Sequence, residues 1–425
     1  MERSTSRLAA TEQEALPPFD GMSRGQRALS PKRPAIETAG LADIFPYYAG
    51  FSFDWARNQL ARDLAYVGDD ALVLDPWNGS GTTTLAAQSL GLRAVGVDRN
   101  PIANVVARLR AEASAMMSAV HPPSSGAGAE SYSSGDALDA WFTEETVRRI
   151  RDWFSALKRQ DSSLNPVGTV ALFRVIRRVT KGFEGSNPTW VKRAKKPEDR
   201  VTLSAVELDG LVVGEQQLIL ARMQQQIRSE ERAMLVTASA TDLPLADSSV
   251  DVVLTSPPYL TRIDYAVAYA RELAILGYDI NTDRGLRSAL MGTTLIRKNV
   301  HFSASVGMVG ESLLRKIAAH DSKASAGYYL KQAQQYLSDL CRGLDEISRV
   351  AKEKAIVHLV VQDSFYKDVH VPLADICIDE ASMRGWSMTR SEQFSVRRSL
   401  VTLNTSARAY KKGDVAESVI TFRRG

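Results

Sequence analysis

The stretch Ala71-Leu72-Val73-Leu74-Asp75-Pro76-Trp77-Asn78-Gly79-Ser80-Gly81-Thr82-Thr83-Thr84 runs from an apolar segment into a glycine-bearing loop, ahead of the helical run Leu85 to Leu90. A short apolar run bounded by turn formers reads as a buried strand, so the segment predicts strand, glycine loop and helix in that order. Glycines at 79 and 81 admit backbone angles closed to other residues and let a ligand approach the main chain. No Gly-Lys-Ser/Thr follows, and Thr84 stands where a dinucleotide fingerprint carries its third glycine, so the triphosphate and dinucleotide readings both fall. Taken alone, the loop is either a nucleotide cradle or a tight strand-to-helix turn.

Two further strand ends narrow the choice. Arg93 to Val97 predicts a second strand ending at Asp98-Arg99-Asn100-Pro101, where an acid is placed to accept hydrogen bonds from ribose hydroxyls. Asp251 to Leu254 predicts another, followed by Thr255-Ser256-Pro257-Pro258-Tyr259. Ligands bind at the carboxyl edge of such strands. Prolines have no N–H and a fixed φ, so the Ser256 and Pro257 carbonyls become rigid acceptors, and Tyr259 is placed to lie flat against a base. This equipment suits a planar exocyclic amine. Its lone pair is delocalised into the ring, and acceptors at the Ser256 hydroxyl and Pro257 carbonyl favour the tetrahedral nitrogen needed for attack.

Together, the Asp75-Pro-x-x-Gly79-Ser-Gly81-Thr-Thr83 loop, the Gly96-Val-Asp98-x-Asn-Pro101 strand end and the Ser256-Pro-Pro-Tyr259 edge resemble the amino-methylating DNA methyltransferases, which use S-adenosylmethionine. The resemblance implies a Rossmann-like class I methyltransferase fold, α/β with a seven-stranded mixed sheet. It implies Ser256, Pro257, Pro258 and Tyr259 as the catalytic tetrad. It places Asp75, Asn78, Gly79, Gly81, Thr82 and Thr83 around the methionine part of the cofactor and Asp98 on its ribose. Phe45 to Ser52 is similar to the family segment that packs over the cofactor, through Phe45 and Tyr47; the alternative is an aromatic staple for the helix near Trp55 to Leu64. Ala238 to Pro244 is similar to the loop bordering adenine. Relatives carry an acid where Ser239 stands, so the adenine contact falls to Ser239, Asp242 or backbone. Ser at the head of the tetrad points to cytosine N4, with adenine N6 as the alternative.

The rest of the chain completes the sheet. Tyr328 to Val350 predicts a helix, Ala355 to Val361 a buried strand, Val371 to Arg384 a helix stopped at Gly385-Trp386, and Ser399 to Asn404 with Glu417 to Phe422 a closing pair of strands. The expected division is a disordered tail over residues 1–38, a first methyltransferase part over 39–118, an insertion over 119–232 and a second part over 233–425. The insertion is too long for an ordinary connection. It begins with the linker-like His121 to Gly128, continues with a helix from Trp141 to Lys158, and is expected to be mainly helical.

Basic residues with interleaved aromatics mark the insertion as a target-recognition face: Arg174, Arg177, Arg178, Lys181, Trp190, Lys192 and Arg193, with Phe173 and Phe183. The competing location is Gly285 to Ser325, with Arg287 and Arg297. Arg262, beside the tetrad, either touches a flanking phosphate or pairs locally with Asp264.

The chain has 425 residues and a formal charge of +4, so affinity for double-stranded DNA must come from localised charge. Composition removes several classes. There is no run of eighteen apolar residues and no signal-peptide core at Met1 to Ser4, which predicts a cytoplasmic protein without membrane association. Cys341 and Cys377 follow no proline at a strand end, which excludes the thiolate chemistry of carbon-5 methylation. The five histidines are dispersed and form no metal set, and His358 reads as a satisfied core residue. The expected activity is therefore cytosine-N4 methylation of DNA in a restriction-modification or phage-defence setting, alongside a cognate restriction or defence protein. An RNA amino-methyltransferase and an inactive cofactor- and DNA-binding subunit are the alternatives.

Overall fold

Val73 and Leu74 are fully buried, and this short apolar run forms β1 (Leu72–Asp75) in the interior of the sheet. The computed structural model describes residues 31, 40–47, 50–111, 117–126, 132–158, 163–185, 190–224, 233–260, 263–298, 306–395 and 415–424. β1 pairs in parallel with β2 (Arg93–Val97) on one side and with β4 (Val250–Thr255) on the other. Beyond β2 lies β3 (Met234–Val236), and beyond β4 lies β5 (Ala351–Gln362), both parallel to their neighbours. β6 (Trp386–Ser395) and β7 (Ala416–Arg424) close the sheet antiparallel, giving the order β3-β2-β1-β4-β5-β7-β6. This is the seven-stranded mixed sheet of the Rossmann-like class I methyltransferase fold. Chain direction across the sheet reverses between β1 and β4, and there the carboxyl ends of the strands leave a crevice.

Helices cover both faces. α1 (Phe53–Val67) and α2 (Thr82–Gln88) pack with the apolar residues of β1 and β4 on one side. α3 (Pro101–Ala111) follows β2. His358 on β5 joins α1 to this face: its Nε2 lies 2.8 Å from the Asp63 carboxylate and its Nδ1 3.0 Å from Thr421 Oγ1. It is satisfied core, as its place inside an apolar strand suggests.

The expected insertion is helical, with α4 (Glu144–Leu157), α5 (Pro166–Val179) and α6 (Ala205–Met223). Its core is not its own. Trp153, Phe173 and Ile219 share one continuous cluster with Leu41 and Phe45, with α3, and with α7 (Tyr265–Ala268) and α8 (Ala270–Ile275). Residues before the glycine loop and after the tetrad thus build the helical lobe together with the insertion. α9 (Arg284–Ala289) extends this region. α10 (Met308–Ala319), α11 (Leu330–Val350) and α12 (Leu373–Met383) cover the other sheet face, where Cys341 and Cys377 are buried.

One expectation misplaces a strand. The edge partner of β7 is Trp386–Ser395, directly after the left-handed Gly385, and the expected strand at Ser399 to Asn404 lies outside the described residues. Polar residues dominate Trp386–Ser395 because it is an edge strand, which conceals it from a search for apolar runs. The expected tail over 1–38 also lies outside the described residues, apart from Pro31. Among the described residues no helix is long and apolar enough to cross a membrane.

Arg110 at the end of α3 is 2% exposed and donates to the carbonyls of Leu41, Ala42 and Ser80 and to Ser80 Oγ. It fastens the Leu41–Phe45 segment to the glycine loop. Arg110→Leu, which leaves those carbonyls buried and unpaired, is expected to cost about 3–5 kcal/mol in denaturant unfolding. Removing the exposed Arg93 partner of Asp70 should cost less than about 1 kcal/mol.

Candidate active site

Asp75 ends β1 and is 3% exposed. Its Oδ1 accepts from Thr255 Oγ1 at 2.6 Å and from the Trp77 amide at 3.1 Å, and its Oδ2 accepts from Thr83 Oγ1 at 2.7 Å. Thr83 is also 2.9 Å from the Leu254 carbonyl. One carboxylate therefore fixes the glycine loop, the start of α2 and the end of β4. Burial pushes the Asp75 carboxyl up to about 6 in spite of these donors.

The loop carries two left-handed glycines with different duties. A Cβ at Gly79 would lie 2.9 Å from Tyr47 Cε1, so Gly79 lets the tyrosine ring close over the loop. A Cβ at Gly81 would lie 2.9 Å from Ala107 Cβ, so Gly81 serves packing against α3 and not a ligand. The Gly79 amide donates to Asp98 Oδ2 at 2.8 Å, and the Asn100 amide to Asp98 Oδ1 at 2.8 Å. Burial again raises this carboxyl, to about 6, although Asp98 is partly open to the crevice.

Both carboxylates border a cavity of about 410 Å³ at the β1–β4 switch point. Tyr47 lines it from the segment before α1, Asn78, Gly79, Thr82, Asp98, Ser239 and Asp242 from the loops after β1, β2 and β3, and Ser256 and Pro258 from the end of β4. Phe45 and Thr83 do not line it. Phe45 is fully buried against Phe173 and Tyr269, and Thr83 acts through Asp75. Asn78 borders the cavity, and its Nδ2 is buried beside Gly96 without a hydrogen-bond partner. Ser239 is tied to Thr241 Oγ1 at 2.8 Å, while Asp242 is exposed at the rim.

The tetrad differs from expectation in two residues, for Pro257 is buried and, like Tyr259, does not line the cavity. Tyr259 is 7% exposed and packed in the core beneath α11, with its hydroxyl 3.3 Å from Ser256 Oγ. The Pro258 carbonyl accepts from Tyr336 at 2.8 Å. The aromatic ring facing the cavity from this side is Tyr265, which stacks with Tyr47 at 5.9 Å, while Tyr47 stacks on Tyr269 at 4.9 Å. Burial, then the charge of Asp98, pushes the Tyr47 phenol well above its usual range, so it remains a neutral donor.

Sequence reasoning missed the wall formed by Ser288, Leu290, Met291, Arg297 and Asp339. Asp339 lies inside an amphipathic helix with no motif to mark it, and the only signal at 285–297 was basic charge. Asp264 pairs with Arg287 at 3.0 Å, and Arg262 lies outside the described residues.

The expected recognition arginines divide by burial. Arg174 pairs with Glu215 at 2.7 Å and Arg177 with Glu272 at 2.5 Å, under the rings of Phe45 and Tyr269, so these two hold the helical lobe together. Arg178 also reaches Glu215, at 2.8 Å, but is half exposed. Lys181, Trp190, Lys192 and Arg193 are exposed. Cys341 and Cys377 do not line the cavity, and burial pushes the Cys341 thiol up to about 12. No group of three or more potential metal ligands occurs among the described residues.

The strand order and the cavity at its switch point define a Rossmann-like α/β protein with a ligand site at the carboxyl edge. No family model matches the chain. It is 25% identical over 288 residues to the Type II methyltransferase M.BsoBI of Geobacillus stearothermophilus, a match covering 60% of this chain and 56% of that protein. The match thus spans little more than half the length of that relative. Similar solved structures include a SAM-dependent methyltransferase of Methanosarcina mazei (10% identity, TM-score 0.32, 85% of this chain and 95% of that one). Another is the rRNA methyltransferase aviRa of Streptomyces viridochromogenes (13% identity, TM-score 0.30, 90% and 89%).

Gly79→Ala combines a left-handed φ of 50° with a clash against a ring already held in a stack. It should lower stability by about 1–3 kcal/mol and alter the tyrosine near-ultraviolet dichroism. Gly210→Ala, inside α6 with ordinary helical φ and open space around its Cβ, should not lower stability and should leave that signal unchanged.

Proposed function

We propose that this protein is a DNA methyltransferase that transfers a methyl group from S-adenosylmethionine to the exocyclic N4 amine of cytosine. The observation that carries the proposal is the meeting, in one cavity, of the Gly79 loop, the Asp98 carboxylate and Ser256 and Pro258 at the end of β4. The relative named as a Type II methyltransferase supports a DNA substrate and a restriction-modification setting.

The cavity residues fit the cofactor. Asp98 keeps a lone pair on each oxygen after serving Gly79 and Asn100, enough for two ribose hydroxyls. Asp75 Oδ2 has one described partner and room for a cationic donor. The unpaired Asn78 amide offers a buried donor, and Tyr47 closes over the glycine loop. When bound, S-adenosylmethionine supplies a methyl carbon made electrophilic by its sulfonium sulfur.

The protein's own part is positioning. Ser256 lines the cavity with its Oγ 3.3 Å from the Tyr259 hydroxyl, and once its hydrogen is given to Tyr259 its lone pairs are left to accept from the amine. Tyr336 holds the Pro258 carbonyl, so the tetrad backbone is fixed before a base arrives. Tyr265, not Tyr259, supplies the aromatic face. A duplex base must leave its stack to enter such a cavity. Ser at the head of the tetrad favours cytosine over adenine.

Expression in a methylation-free bacterial host, with nucleoside mass spectrometry, should show N4-methylcytosine that Ser256→Ala reduces by about a hundredfold. N6-methyladenine in its place would overturn the base assignment, and an unmarked genome the DNA substrate.

The raised carboxyls set the pH dependence. Asp75 and Asp98 take up protons as pH falls through about 6, losing the charge that receives a cationic ligand. The dissociation constant for S-adenosylmethionine, measured by calorimetry, should therefore rise about tenfold or more from pH 7 to pH 5. Without ligand the same groups favour the protonated fold, so the stability they contribute is lost as pH rises from the ordinary carboxylate range through about 6.

A further inference from the structure

Asp264 is 7% exposed and lies between the tetrad and Tyr265. Its Oδ1 accepts the Val267 amide at 3.3 Å, capping α7. Its Oδ2 receives a concentration of donors: Arg287 Nη2 at 3.0 Å and Nε at 3.2 Å, the Thr294 amide at 3.1 Å, Thr294 Oγ1 at 2.8 Å and Thr293 Oγ1 at 3.4 Å. All come from the segment 287–294. That segment passes over the tetrad at Gly292, where a Cβ would stand 3.6 Å from Pro258 Cβ and from the Tyr259 carbonyl oxygen. Its residues Ser288, Leu290 and Met291 form a wall of the cavity.

A second ion pair holds the far end of the wall. Arg297 donates to both oxygens of Asp339 on α11, through Nε to the Ser288 carbonyl at 3.0 Å, and through its backbone amide to Gln335 Oε1 at 3.0 Å. The wall is thus fastened to the tetrad loop at one end and to α11 at the other. Lifting it would strip two buried carboxylates of their arginine partners, a costly state. A wall so fastened, beside the acceptors for an amine, is placed to measure the size of whatever enters.

Resting on the methyl-transfer reading above, we propose that Ser288–Met291 is the wall that selects the target base, and that Asp264 is the positioning residue that holds it, with Tyr265, against Ser256-Pro257-Pro258. Asp264 reaches the reacting amine only through the residues it places.

The test combines kinetics with hydrogen exchange on the full chain. In Asp264→Asn, kcat on a cytosine duplex should fall about a hundredfold, the effect of a small misplacement, while the dissociation constant for S-adenosylmethionine stays within about twofold. Exchange should quicken over 263–267 and 284–294 and stay unchanged over 72–98. Arg287→Lys should recover part of the rate lost in Arg287→Met. Met291→Ala should raise adenine methylation relative to cytosine by about tenfold. Equal loss of cofactor affinity in Asp264→Asn, or unchanged exchange in the wall, would overturn the positioning role. An unchanged base ratio in Met291→Ala would overturn the selecting role. If the wild type methylates neither base, the functional reading fails with the selecting role, and exchange alone decides the positioning role.

Discussion

The Asp75 carboxylate is the constraint on which the site depends. It sits at the carboxyl end of β1 and accepts from Thr83 on α2 and Thr255 on β4, the strand across the switch point. Glycine loop and tetrad are thereby held at fixed separation although Asp75 and Thr255 are 180 positions apart in the chain. An apolar residue at position 75 would keep the strand but lose this join. The cost appears as a carboxyl raised to about 6 by burial. A fold retains such a group where a geometry must be kept, and Asp75 keeps the one between glycine loop and β4.

Around that join the helical lobe acts as a second support. Phe45, Tyr47, Tyr265 and Tyr269 link the segment before the glycine loop to the segment after the tetrad through ring contacts. Arg177 lies over Phe45 and Tyr269 and is paired to the fully buried Glu272. Insertion helices thus reach the cavity wall through packed rings, and charge that resembles a nucleic-acid face in the sequence belongs here to internal ion pairs. The exposed Lys181, Trp190, Lys192 and Arg193 remain the residues of that set available to an external partner.

Legibility followed the range of the interactions. β1, β2, β4 and β5 were readable because each is an apolar run with turn formers at its end, and Asp98 and Ser256 because a strand end fixes where they stand. The strand Trp386–Ser395 was hidden by its polar edge composition. Phe45 and Tyr259 were assigned to ligand contact but are buried, since sequence order gives no side-chain direction for an aromatic at a loop. Asp264 and Asp339 went unread as supports of the wall because their partners, Arg287 and Arg297, lie 23 and 42 residues away and only the folded chain brings them together.

The central claim is that one cavity holds the cofactor end and the amine-accepting end face to face. A crystal structure with S-adenosylhomocysteine tests it most directly. The account predicts ribose hydroxyls on Asp98, the amino-acid end near Asp75 and Asn78, and the sulfur turned toward Ser256. A ligand bound elsewhere, or one whose sulfur faces away from Ser256, would contradict it.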